Sequence, residues 1–157
     1  MNYSALIENR RSVREFSDRH ICPCALTKIK DYYNNECKRL DSSITTALLV
    51  FGPEAGRQLE GAAGYNQFLV GAPQYLVLLS EKHPHALENA GYMMEDLILK
   101  LTDMDLDSCW LTFTDSEDIK GVLGLASNLE VAAIAAFGYG KKVVRRLRLN
   151  IRSMSNV

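Results

Sequence analysis

Apolar residues recur by threes and fours between Pro84 and Met104, where Leu87, Ala90, Met94, Leu97 and Leu101 mark one face and Met93 and Ile98 widen it. That period predicts an amphipathic helix long enough to cross a core. Elsewhere the pattern changes. "SSITTALLVFGP" has the β-branched density of a strand and stops at Gly52-Pro53, and "PQYLVLLS" is a short unbroken apolar run, as expected of a strand buried on both faces. "SCWLTFT" predicts another strand, and "EVAAIAAFGYG" predicts one of mostly small residues that ends in glycine turns. Between them "SEDIKGVLGL" predicts a short helix opened by Ser116, with acids in its first turn. Near the start, residues 2–9 predict a short helix. "CPCALTKIKDYYNNE" predicts a second, with Pro23 in its first turn and Leu26, Ile29 and Tyr33 at helical spacing. Residues 54–71, carrying Gly56, Gly61, Gly64 and Gly71, read as irregular.

With 157 residues and 47% hydrophobic content, the chain is long enough for one sizeable core, and a single domain over residues 1–157 is expected. No run approaches the roughly 20 apolar residues of a membrane span. The charges of "MNYSALIENRR" follow a short mixed segment, the reverse of a secretory signal, so a cytoplasmic location is the default. Cys22, Cys24, Cys37 and Cys109 are irregularly placed. Cys22 and Cys24 are too close for an easy mutual disulfide, so reduced thiols are expected, and no metal site is, since His20, His83 and His85 also lack partners at metal spacing.

A formal charge of -1 conceals an uneven distribution. Residues 81–118 hold ten acids against two bases, and from Lys141 onward there are six bases and no acid. A uniformly basic nucleic-acid binder is not the expectation, although either basic segment could hold an anion. The last of them, "RLRLNIR" (146–152), alternates at period two and predicts a strand with one apolar and one cationic face. Nothing follows to cover it. Either it lies on another subunit, or the chain is shorter than its relatives.

The other basic segment, "ENRRSVREFSD", sets Arg10, Arg11 and Arg14 around Ser12. On composition alone it reads as a solvated turn with surface ion pairs of little energy. Three guanidinium groups also suit an anion with several oxygens, such as a phosphate monoester, with Asp18 or Glu15 holding one arginine in place. Other features have plain readings. Trp110, Tyr32 and Tyr33 are core or interface anchors, and Met93, Met94 and Met104 fill the core. Gly91, inside the long helix, costs about 1 kcal/mol against alanine, which suggests close approach of a backbone or cofactor, or tight helix packing.

The ordered set "RRSVREF", "ALTKIKDYY", "GAPQYLVLLSE", "NAGYMMEDLILKLTDMDLDSCWL" and "VAAIAAFGYGKK" resembles the FMN-dependent nitroreductase family, especially its smaller, divergent members. It runs from Ile7 to about Lys142. The resemblance implies an α+β, nitroreductase-like fold with a central, mainly antiparallel sheet flanked by helices. It implies that Arg10, Arg11, Ser12 and Arg14 bind the FMN phosphate and that the backbone of Trp110, Leu111 and Thr112 approaches the flavin ring. Arg145, Arg146 and Arg148 are candidates for a further phosphate contact, with Arg148 favoured by the alternation. Many relatives read Gly-Leu-Gly before the Cys-Trp pair and Gly two residues after it; here stand Asp105-Leu106-Asp107 and Thr112. The asparagine-rich flavin loop of larger relatives has no counterpart beyond Asn66.

The implied activity is an NADH- or NADPH-dependent oxidoreductase of ping-pong type, reducing a small nitroaromatic or quinone-like acceptor as a homodimer. The flavin carries the chemistry, so no side-chain nucleophile is required. Two alternatives stand beside it: a flavin- or nucleotide-binding protein without efficient turnover, and, more weakly, a module that contacts RNA or DNA through the basic segments.

Overall fold

The computed structural model describes residues 1–66 and 68–141. In chain order, the helices are α1 (Tyr3–Asn9), α2 (Pro23–Asn35), α3 (Glu54–Leu59), α4 (Ala86–Asp103) and α5 (Ser116–Leu123). The strands are β1 (Thr46–Phe51), β2 (Ala63–Gly64), β3 (Gln74–Ser80), β4 (Asp107–Phe113) and β5 (Glu130–Gly138). The strands form one sheet in the order β1-β3-β5-β4-β2, and every one of those pairings is antiparallel. The expected α+β architecture is what the chain adopts.

Alternation sends the sheet's side chains to two cores. Tyr75, Val77 and Leu79 of β3 join Cys109, Leu111 and Ile134 on the face covered by α3 and α5. Leu76 and Leu78 join Ala133, Ala135 and Phe137 on the face covered by α2 and α4. As its unbroken apolar run predicts, β3 is buried on both faces. A register shift at Leu78/Leu79 leaves Ala132 of β5 unmatched. This bulge rephases the strand, so that Ala133 and Val131 lie on opposite faces as β3 requires. The small side chains of β5 let α4 lie close above it.

The long helix also carries polar groups into the interior. Asn89 and Asp96, two turns apart, are both buried. Asn89 Oδ1 accepts from the backbone N–H groups of Leu40 and Asp41 at 2.9 and 3.1 Å. Asp96 accepts from the Tyr3 hydroxyl at 2.9 Å, the Tyr32 hydroxyl at 2.8 Å and the Lys38 N–H at 2.9 Å. One carboxylate thus ties α1, α2 and the loop after α2 to α4.

Four expectations need correction. Residues 54–71 are not wholly irregular, because Ala55 and Leu59 bury one face of α3 and Ala63–Gly64 add a short strand to β4. Helix α5 is capped by Asp115, whose carboxylate accepts from the Glu117 N–H; Ser116 instead accepts from the Val131 N–H. A Cβ on Gly91 would meet nothing within 4 Å, so close packing does not explain that glycine. Finally, Cys22 and Cys24 are joined in a disulfide. The chain is extended at the cap residue Cys22 and turns into α2 at Pro23. This brings the two Cα atoms to 5.2 Å, inside the span of roughly 4.4–6.8 Å that the bond needs. Among the described residues, no helix is long and apolar enough to cross a membrane.

Candidate functional site

The basic segment leaves α1 at Arg10 in extended conformation and runs beside β4. Ser12 forms a parallel bridge with Ser108, and the Val13 N–H donates to the Ser108 carbonyl at 2.9 Å. The segment is then laced to the chain beyond β5: the Ser17 N–H donates to Tyr139 and the Lys141 N–H to Glu15, at 2.8 and 2.9 Å. Asp107, one of the acids that stand where relatives have glycine, accepts from the Gly140 N–H at 2.9 Å. Its carboxylate therefore braces the same junction.

Each arginine has its own surroundings. The Nε of Arg10 lies 3.4 Å from Glu95 Oε1, while Glu95 Oε2 accepts from the Trp110 indole N–H at 3.0 Å. The acid that holds an arginine is thus Glu95 of α4, rather than Asp18 or Glu15. Arg14 stacks its guanidinium 3.7 Å from the centre of the Tyr65 ring. Arg11 is exposed and has no ion pair among the described residues. Burial raises the Cys109 thiol pKa, and the charges of Arg14 and Arg10 oppose that shift.

The side of β4 that faces away from β5 completes the arrangement. The Ser108 carbonyl points outward to Val13, so by alternation Trp110 and Thr112 present their backbone groups to the same edge. Thr112 pairs with Gly64 of β2 and also donates its hydroxyl to the Gly64 carbonyl at 3.0 Å. Between these bridges Trp110 has no ladder partner on that side among the described residues. Leu111 faces away. Its side chain is in the α3/α5 core, and it pairs with Ile134 of β5. Arg145, Arg146 and Arg148, with the predicted "RLRLNIR" strand, lie outside the described residues.

Beyond β2 the chain makes a tight loop, with Tyr65 and Phe68 exchanging backbone hydrogen bonds at 2.9 Å. Asn66 occupies the turn with φ 48° and is exposed. A Cβ on Gly64 would come within 2.3 Å of the Phe68 carbonyl oxygen, so the tight loop requires glycine there. Phe68 is 76% exposed at this rim. The N-terminal segment continues past the arginines into the wall of a cleft of approximately 530 Å³, lined by Phe16–Ile21, Arg57, Leu69 and Tyr75. Arg10, Arg11 and Arg14 do not line it.

This set of groups can bind an anion and offer one backbone donor beside it. Of the predicted residues, Ser12 lies beside Ser108 of β4, Arg10 is linked to Trp110 through Glu95, Arg14 stacks on Tyr65 next to the Gly64–Thr112 pair, Arg11 is exposed and Leu111 turns inward. Glu95 was missed because its only signal in the sequence is one acid among several on α4.

A family model described as "Putative TM nitroreductase" matches residues 2–157. No curated protein matches the chain. Among solved structures, a nitroreductase family protein of Clostridium novyi NT superposes with a TM-score of 0.76 at 20% identity, over 90% of this chain and 87% of that one. A Bacteroides fragilis nitroreductase with bound FMN has a TM-score of 0.73 at 16% identity, over 100% and 99%. An iodotyrosine deiodinase bound to FMN and 3-iodo-L-tyrosine has a TM-score of 0.71 at 20% identity, over 90% and 91%.

Proposed function

Because this chain belongs to the nitroreductase family that its model matches over residues 2–157, we propose that it is an FMN-dependent oxidoreductase whose flavin sits along β4 at Trp110, on the side away from β5. The supporting observation is that the basic segment and the unpaired Trp110 backbone lie on the same side of β4.

The residues present suit the cofactor. Arg10 engages Glu95 through Nε, which leaves its two terminal amino groups for a phosphate, and Arg14 uses only its face on Tyr65. Arg11 and the Ser12 hydroxyl add donors. The Trp110 N–H is a fixed donor for a ring nitrogen, and Gly64 keeps the facing strand free of side-chain bulk. Thr112 acts by holding that strand, and Leu111 by supporting β4 from beneath. Arg148 is an additional phosphate contact in this reading. When bound, FMN supplies hydride exchange between NADH or NADPH and a nitroaromatic or quinone-like acceptor. The protein's part is to fix the phosphate, orient the ring and leave one face open to donor and acceptor in turn, which gives ping-pong kinetics. The working form is a cytoplasmic homodimer of single-domain subunits.

Trp110 is the one tryptophan of the chain, so FMN titration followed by tryptophan fluorescence reads the site directly. Quenching that saturates at one flavin per chain is expected. Arg11→Ala and Arg14→Ala should each weaken FMN binding about ten-fold or more with little change in the urea midpoint, since one charge-assisted contact contributes roughly 1.5–3 kcal/mol. Absence of quenching, or equal losses in binding and stability, would remove the proposal.

A second reading, flavin binding without efficient turnover, is favoured by Glu95 and Asp107, acids beside the site that oppose a negative reduced ring. Stopped-flow mixing with NADH and NADPH separates the two, because a flavin that binds and stays oxidised leaves only binding. The acceptor panel should include 3-iodotyrosine, the ligand of one fold relative.

A further inference from the structure

We propose that Cys22 and Cys24 form a thiol–disulfide exchange site, separate from the β4 edge, that takes electrons from a small hydrophilic thiol. Both cysteines are exposed, and they lie at the start of α2 in the wall of a pocket of approximately 580 Å³. The pocket carries both signs of charge, with Lys28 and Lys100 against Asp31, Glu36 and Asp103, which suits a thiol bearing an ammonium and carboxylates of its own.

A disulfide stabilises chiefly by closing a long loop, and the effect grows with loop length. This one encloses a single residue, Pro23, so it contributes little as a staple. Exposure adds no packing to hold it closed. Exposed disulfides with little structural role are the ones that exchange.

The two sulfurs are not equivalent. Cys22 caps the 13-residue helix α2, and its Sγ accepts the Cys24 backbone N–H at 3.2 Å. A thiolate on Cys22 is stabilised by that N–H and by the positive end of the helix, so Cys22 is the better leaving group. The incoming thiolate therefore attacks Cys24 Sγ. The S–S bond breaks toward Cys22, which departs as thiolate, and a mixed disulfide forms on Cys24. A second small thiolate then attacks the small-molecule sulfur of that mixed disulfide and releases Cys24. Two small thiols become one small disulfide, and the protein gains two electrons and two protons. The reverse sequence, driven by a small disulfide, closes the pair again.

The test uses the full chain, glutathione and thiol counting by intact mass after alkylation. Cys37 and Cys109 give a background of two thiols; Cys109 is 1% exposed, and burial holds the Cys37 thiol up near 12. After oxidised glutathione, two alkylated thiols are expected under denaturing conditions. After reduced glutathione on the native protein, four are expected, with the helical circular dichroism unchanged. In single variants, Cys22 of Cys24→Ser should alkylate about five-fold faster near neutral pH than Cys24 of Cys22→Ser, reflecting its greater thiolate fraction. A pair that opens only in denaturant, or whose reduction unfolds the chain, is a structural staple and overturns the proposal. So does a reduced protein that carries stable glutathione adducts on both cysteines without closing, and so do equal or reversed alkylation rates.

Discussion

Asp105 adopts φ 58°, a left-handed backbone where most side chains are strained. It stands just past α4 in a helix-ending turn where the Leu106 N–H donates to Leu101 and the Asp105 N–H to Thr102, at 2.9 and 3.0 Å. Helix α5 ends with the same bond from Leu125 to Lys120, at 2.8 Å, but places Gly124 at φ 65°. At Asp105, as at Gly124, the turn imposes a backbone angle that glycine meets without strain. Asp105→Gly should raise stability by about 1 kcal/mol and Gly124→Ala lower it by about as much, both read from urea unfolding. Since a Cβ at Gly124 would meet nothing, that loss isolates the backbone strain. The sequence marked Asp105 as a departure without revealing why, because φ is a property of the folded turn. Glu95 was hidden for a related reason: its pairing with Arg10 and Trp110 exists only once α4 lies across β4.

At the scale of elements, the ties among α1, α2 and α4 converge on the buried Asp96. Asp96→Ala removes the acceptor of three donors at once, and an expected loss of about 3–5 kcal/mol would appear as a lowered urea midpoint. The same cluster predicts alkaline sensitivity. Burial first, then the bonds to Tyr3 and Asp96, push the Tyr32 phenol well above its ordinary 10.0. Burial, aided by Asp96, carries the Cys37 thiol from 9.0 up to about 12. Both raised values mean that the folded chain favours the protonated group. The stability they carry is complete below 9.0 and is lost as pH rises, through 9.0 to about 12 for Cys37 and above 10.0 for Tyr32. Urea midpoints should fall across that window, less steeply in Cys37→Ala and Tyr32→Phe than in the wild type. The helical period of α2 and α4 was plain in the sequence, but the polar positions inside it were not. Asn89 and Asp96 resemble surface residues until the loop after α2 supplies their donors.

For the whole molecule, β5 joins the two halves of the sheet by pairing with β3 on one side and β4 on the other. β1 with β3 and β4 with β2 meet only through it, so calorimetry should show one cooperative transition, and two resolved transitions would contradict a single domain. The strands themselves were legible from their apolar runs and the long helix from its period. Strand order, the bulge at Ala132 and the short pairing of β2 with β4 were not, since they depend on contacts between distant segments. Helix α3 was masked by glycines; a Cβ on Gly56 would strike the Tyr75 hydroxyl, so that residue serves close packing rather than a loop.

Among the described strands, β5 is the last to be synthesised, yet it lies in the middle of the sheet. On the ribosome, β1 and β3 can pair only with each other, and the apolar edge of β3 has no covering until residue 138 clears the exit tunnel. From the emergence of β3 until β5 follows, the nascent chain must keep that edge from other polypeptides, so its yield in the cell will depend on chaperones and growth temperature more than the finished fold suggests.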